Sequence, residues 1–174
     1  MPITLRPVEF ADWPSVQEWA GTEEASRYQV WGPNTPEQTR EFVRGQVAAW
    51  AERPQTNYPW AAVEPSGDVA GMGILMVRDA TSGQGEISYI VHTAKWGRGI
   101  ATDIARHMLE FGFGELNMHR IAATCDPRNI GSASVLRKIG MTYEGRLRQV
   151  KLIRDGWRDS EVYSLLHEEW SRAR

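Results

Sequence analysis

Apolar residues recur along this chain in two rhythms, every second position in some stretches and every third or fourth in others. The switches between them lay out the elements. Ile3-Thr4-Leu5-Arg6 alternates and reads as a short opening strand. Asp12 stands where it can cap a helix running to about Ala20. Residues 21–34, with Tyr28, Trp31, Gly32 and Pro33, carry no period and read as irregular. Thr35-Pro36-Glu37-Gln38 is a capping box with proline at the first helical position. The helix it starts carries Phe42, Val43, Val47 and Trp50 at helical spacing and stops before Pro54.

Strands are expected over 58–63 and 68–77, around the turn residues Ser66-Gly67-Asp68, and over 85–92, which alternates as a half-buried strand. A helix follows from about Gly99 to Phe113, with Ile100, Ile104, Met108 and Phe111 as its apolar stripe. Thr102, Asp103, Arg106, His107 and Glu110 are expected to face out. Arg120–Cys125 reads as a strand, and Ile130–Ile139 as a short helix ended by Gly140. Two long strands, about 141–154 and 157–167, flank the tight-turn pair Asp155-Gly156. The order βααβββαβαββ predicts a mixed α/β sheet in one domain, residues 1–174.

Composition narrows the function classes. Of 174 residues, 41% are hydrophobic and 24% charged, with a net charge of −2, so no basic excess points to nucleic acid. One cysteine, Cys125, excludes an internal disulfide and a thiolate metal cluster, which makes a reducing cytoplasm the default location. No apolar run is long enough for a membrane helix, and the first six residues lack the apolar core of a signal peptide. Most of the eight tryptophans are expected in the core, with some free to line a cleft. His92, His107, His119 and His167 show no metal-ligand spacing, and no metal is expected.

Between the strand ending at His92 and the helix starting near Gly99 lies Trp96-Gly97-Arg98-Gly99-Ile100-Ala101-Thr102. The first amides of a helix lack intrahelical acceptors, and the helix dipole adds positive potential there. Glycine lets a phosphate approach the backbone, and Arg98 adds charge. A pyrophosphate fits this description, although a plain turn fits the same spacing. A nucleoside-triphosphate loop would carry Gly-Lys-Ser/Thr, and a dinucleotide fold would place an acid after the next strand; neither is present.

These residues resemble a family. Gly99 and Ala101 match the last fixed positions of motif A, Q/R-x-x-G-x-G/A, of the GNAT superfamily of N-acetyltransferases; Trp96 departs from it. Asn129-Ile130-Gly131-Ser132 and Lys138-Ile139-Gly140-Met141 resemble its N-x-x-S/A and K-x-G-F/M segment. Met118-His119-Arg120-Ile121, Asp155-Gly156-Trp157-Arg158-Asp159 and Tyr163-Ser164-Leu165 are similar to the RimJ/RimL-type branch, relatives of the ribosomal-protein-alanine acetyltransferases.

The resemblance implies an α+β fold: a mixed, mostly antiparallel twisted sheet of about seven strands with about four helices, strands four and five splayed. It implies acetyl-coenzyme A (acetyl-CoA) as co-substrate. The pyrophosphate would lie on Gly97, Arg98, Gly99, Ile100, Ala101 and Thr102, and the pantetheine arm against unpaired backbone groups of Ile90, Val91 and His92. Asn129 would bond the arm or simply cap its helix. Ser132 stands where this branch places a serine beside the sulfur, while Leu136 occupies the position of the usual tyrosine acid. Glu86, on strand four, is the expected base, with Glu24 and Asp159 as rivals.

The acceptor is expected to be a primary amine of a small molecule or of a peptide or protein N-terminus, attacked directly in a ternary complex. Tyr28, Trp31 and Trp157 are candidates for an aromatic wall around it. An idle, CoA-binding sensor or scaffold of the same fold is the alternative, and a homodimer is compatible with the resemblance. Cys125, on an apolar strand, reads as packing rather than as an acyl-carrying nucleophile.

Overall fold

The computed structural model describes residues 3–173. Met1, Pro2 and Arg174 lie outside the described residues, as does the part of the signal-segment and domain-boundary expectations that rests on them. Seven strands form one sheet in the order β1-β2-β3-β4-β5-β7-β6. They are β1 (Thr4–Pro7), β2 (Asn57–Val63), β3 (Val69–Asp79), β4 (Gln84–Val91), β5 (Arg120–Cys125), β6 (Thr142–Ile153) and β7 (Gly156–Leu166). All neighbours are antiparallel except β4 and β5.

Six α-helices, rather than about four, surround the sheet: α1 (Trp13–Ala20), α2 (Glu23–Ser26), α3 (Pro36–Ala49), α4 (Ile100–Glu110), α5 (Ile130–Lys138) and α6 (His167–Arg172). The two unforeseen helices are α2 and α6, each too short to show a period. Thr22 caps α2 by accepting from Ala25 N, and this turn interrupts the segment expected to be irregular. In α6, Glu169 accepts from the Leu166 amide and draws the end of the last expected strand into a helix.

Local signals explain the other termini. At α3 the Thr35 hydroxyl accepts from Gln38 N, and the Gln38 side chain accepts from Thr35 N, so the capping box closes as expected. At the end of α5, Gly140 takes φ +91° while Met141 N bonds Leu136 O and Gly140 N bonds Arg137 O. That left-handed turn favours glycine. Asp12 does not cap α1 as expected. A 3-10 turn (Phe10–Asp12) precedes the helix, and the buried Asp12 carboxylate instead accepts from Glu9 N and, through both oxygens, from Arg6.

Two apolar layers sandwich the sheet. On one face Leu75, Ile87, Val91, Ile121 and Tyr163 meet Ile104, Met108 and Leu136 of α4 and α5. On the other, Val16 and Trp19 of α1 and Val43 of α3 cover Ala61, Val69 and Met72. Gly73 lets α4 lie close to β3: a Cβ there would stand 2.9 Å from Met108 Sδ and nearer still to Ile104. This tight seating buries a wider arc of α4 than its stripe foretold. Thr102 is buried, and His107 packs edge-on to Trp60 at 5.1 Å, so neither faces out. No described helix is long and apolar enough to cross a membrane.

Candidate active site

β4 and β5 pair over only three positions, Gln84–Arg120, Gly85–Ile121 and Glu86–Ala122. β4 then runs to Val91 and β5 to Cys125 without further pairing, so the strands part into a slot whose closed end lies at Glu86 and Ala122. Alternation sets which groups face this slot. His92 N donates to Ala70 O of the β2–β3 side, so its amide is committed there and is not unpaired, contrary to expectation. Ile90, two residues earlier on the same ladder, turns its backbone groups to β3 as well. Of the three expected residues, Val91 alone points its backbone into the slot. Its carbonyl already accepts from the Trp96 indole at 2.9 Å, which leaves the amide as the free donor.

Beyond the open end sits the glycine turn. Gly97 (φ +76°) and Gly99 (φ +83°) are both left-handed, and a Cβ on either would meet nothing within 4 Å. The space over the turn is therefore open to an anion. α4 has no side-chain N-cap, so the amides of Ile100, Ala101 and Thr102 keep their donor capacity. Glu64, just past β2, binds Lys95 at 2.5 Å and lies 3.9 Å from Arg98, so it holds one cation just before the glycine pair and one between the two glycines.

Three polar side chains meet where β4, β5 and α5 converge. The Tyr89 hydroxyl lies 3.2 Å from Ser132 Oγ and 3.3 Å from Ser132 O. Asn129 caps α5 by accepting from Ser132 N at 3.0 Å, which leaves its side-chain amide donors for other partners. Cys125 is buried alongside, and that burial pushes its thiol up to about 11. A thiol held neutral is a poor nucleophile, in keeping with a packing role. Leu136 is buried in the core and supplies no hydroxyl.

The opposite face of the sheet carries Glu86, Ser88 and Ile90, since residues two apart on a strand share a face. Glu86 receives Arg78 Nε at 2.9 Å. Lys151 stands across from Arg158 on the final hairpin. Burial, followed by the nearby Arg158, lowers the Lys151 pKa; Glu86 acts in the opposite direction and Arg78 in the same one. Trp31 and Ile90 pack on the same cluster beside α1, which places Trp31 on this face.

The hairpin tip is latched to the 21–34 segment. Arg154 donates to Gly32 O at 2.9 Å and to Ser26 Oγ at 3.1 Å, and Arg158 donates to Tyr28 O. The Tyr28 ring lies 5.7 Å from the Arg128 guanidinium, which also binds Asp126 and Asp155. Trp157 does not join Tyr28 and Trp31. It occupies the strand face opposite Arg158, 64% exposed, across from Leu152. Asp159 accepts from Gln149 N at 2.9 Å, where it closes a bulge in β6. Glu24 lines an open hollow of about 480 Å³ with Glu23, Arg27, Arg154 and Asp155.

Residues 3–142 match the family model described as the acetyltransferase (GNAT) domain. The chain belongs to the GNAT acetyltransferase family. It is 31% identical over 169 residues to an uncharacterized N-acetyltransferase, YnaD, of Bacillus subtilis, covering 97% of this chain and 96% of that one. A GNAT-family acetyltransferase from Bacillus anthracis superposes with a TM-score of 0.82 at 28% identity, over 97% of this chain and 96% of that one. The spermidine N-acetyltransferase of Vibrio cholerae, solved in complex with CoA and spermine, shares the fold with a TM-score of 0.83 at 17% identity, over 97% of this chain and 98% of that one. The protein is an N-acetyltransferase of this family.

Four polar residues of this candidate site were not singled out from the sequence: Tyr89, which lies within an alternating strand, and Glu64, Lys95 and Lys151, which belong to no motif. Only the 43-residue return of α5 brings Ser132 to Tyr89, and only the meeting of the β2–β3 turn with the loop before α4 brings Glu64 to Lys95 and Arg98. Trp96, seen as a departure from motif A, has a signal in its indole N–H, a donor that seeks a partner in a tight turn.

Proposed function

We propose that the protein transfers an acetyl group from acetyl-CoA to a primary amine by direct attack in a ternary complex. The observation that carries this reading is the parting of β4 and β5 after Glu86 and Ala122, with the open glycine turn at its mouth. In it, the amides of residues 100–102, with Arg98 and Lys95, hold the pyrophosphate. The pantetheine arm enters the slot, and the Val91 amide bonds it or the developing oxyanion. One such donor contributes about 3 kcal/mol to the transition state. Asn129 bonds the arm through its free amide group.

The acceptor arrives from the face that carries Glu86, Trp31 and Tyr28. Glu86 takes the ammonium proton directly or through water; Arg78 keeps its carboxylate oriented. The amine attacks the thioester carbon, the adduct nitrogen sheds its extra proton to water, the C–S bond breaks with its electron pair going to sulfur, and Ser132 meets the departing thiolate. The acceptor class is a small-molecule amine or a peptide N-terminus. The motifs around Asn129 and Asp155 favour affinity with the RimJ/RimL-type branch, and the single cysteine favours a reducing compartment.

Isothermal titration with acetyl-CoA and a thiol-release assay over an amine panel test the reading. Micromolar binding with turnover on at least one amine is expected. Gly99→Glu should abolish binding while the fold survives, because the new carboxylate occupies the anion's place. Full affinity in that variant contradicts the placement. Binding with no turnover on any amine makes the protein a CoA sensor instead.

A further inference from the structure

We propose that Tyr89 is a positioning residue for departure of the thiolate: its phenol, reaching from β4 across the slot to α5, holds the Ser132 hydroxyl so that the serine proton is aimed at the sulfur. The inference rests on the preceding reading of Ser132 and deepens it. A lone serine in the first turn of a helix is a free rotor, and its hydroxyl also finds nearby backbone carbonyls. Three neighbours bear on this one: the Cys125 thiol lies within hydrogen-bonding reach of its hydroxyl, and Asn129 and Tyr89 restrain it further. Asn129 pins the Ser132 amide at 3.0 Å. The Tyr89 oxygen stands within reach of both Ser132 Oγ (3.2 Å) and Ser132 O (3.3 Å), so the turn is held from the facing strand as well as from its own cap.

The phenol's single proton has two acceptors within reach, Ser132 O and Ser132 Oγ; when it turns to Oγ, the serine retains its own proton for a third partner, and a hydroxyl that accepts a hydrogen bond is a stronger donor. Burial raises the Tyr89 pKa above that of an ordinary phenol, with Ser132 opposing and Cys125 adding a little. The phenol therefore keeps its proton across the working pH range and remains a fixed donor. When the tetrahedral adduct collapses, the C–S bond breaks and its electron pair settles on sulfur. Ser132 donates a hydrogen bond to that charge; neither hydroxyl loses its proton, and the sulfur is protonated by water on release. Leu136, one turn along α5, is buried among apolar groups. Tyr89 thus supplies from β4 a phenol that α5 does not carry.

Tyr89→Phe, Ser132→Ala and the double variant test this, with acetyl-CoA titration and thiol release on the best amine of the panel. Tyr89→Phe should lower kcat about tenfold, the worth of one aligned hydrogen bond felt in the transition state, and leave the KM for acetyl-CoA within about twofold. Ser132→Ala should cost at least as much, and the double variant should be no slower than Ser132→Ala, because one hydroxyl acts through the other. Wild-type kcat in Tyr89→Phe, or losses that multiply in the double variant, overturn the proposal. Wild-type kcat in Ser132→Ala overturns it together with the serine role but leaves the transferase reading standing. Failure of the wild-type protein to acetylate any amine sinks that reading, and this proposal with it.

Discussion

The Trp96 indole N–H donates to the Val91 carbonyl at 2.9 Å, tying the glycine turn to the last residue of β4. The bond fixes the distance between the glycine turn and the slot, and it occupies the carbonyl beside the Val91 amide. Trp96→Phe should keep the ring, which is 54% exposed, and lose this bond. A net hydrogen bond is worth about 1 kcal/mol, so acetyl-CoA affinity is expected to fall about fivefold with kcat little changed. Titration and steady-state kinetics check it.

Arg154 and Arg158 latch the β6–β7 hairpin to the segment that carries Tyr28 and Trp31. The latch lies by the sheet face proposed to receive the acceptor, where Arg158 stands across from Lys151. Arg154→Ala should raise the acceptor KM by about three- to tenfold, the loss of one to two hydrogen bonds, and leave the acetyl-CoA KM unchanged. Equal rises in both constants would place the latch on the donor side instead.

Burial lowers the His107 pKa, with Glu110 pulling weakly the other way. The folded protein thus binds this proton less readily than the unfolded chain. The stabilising contribution is complete above the unfolded value of about 6.5 and is lost as pH falls from there through the depressed folded value. Melting temperature should fall between about pH 7 and pH 5, and His107→Phe, which keeps a ring against Trp60, should flatten that slope. An unchanged slope in the variant would assign it to other groups.

Two glycines should respond in opposite senses. Gly73→Val drives a side chain into Ile104 and Met108 and should cost about 1–3 kcal/mol or more in denaturant unfolding. Gly45, inside α3 with open space around it, should tolerate alanine and gain about 0.5–1 kcal/mol. A loss at Gly45 would mean that its exposed position is in use.

All seven strands and the four longer helices were legible in the sequence because their signals are local. A period of two or 3.6, the Thr35–Gln38 box and the Gly140 terminator act within a few residues of themselves. The motifs around Gly99 and Asn129 were legible for the same reason. The role of Asp12 was misread because a helix cap and an ion-pair acceptor look alike until Arg6 of β1 is seen beside it. α2 and α6 were missed because one turn and a half of helix carry no repeat.

The sequence by itself determined the elements, their order and the glycine turn, since backbone preference and amphipathic period are written in neighbouring residues. Only the tertiary structure decided that β4 and β5 part after Glu86, that Val91 rather than Ile90 or His92 faces the slot, and that Tyr89 meets Ser132. It also decided that Trp157 turns away from Tyr28. These are matters of register and face, and a strand's pairing partner and the direction of its amides depend on segments far along the chain.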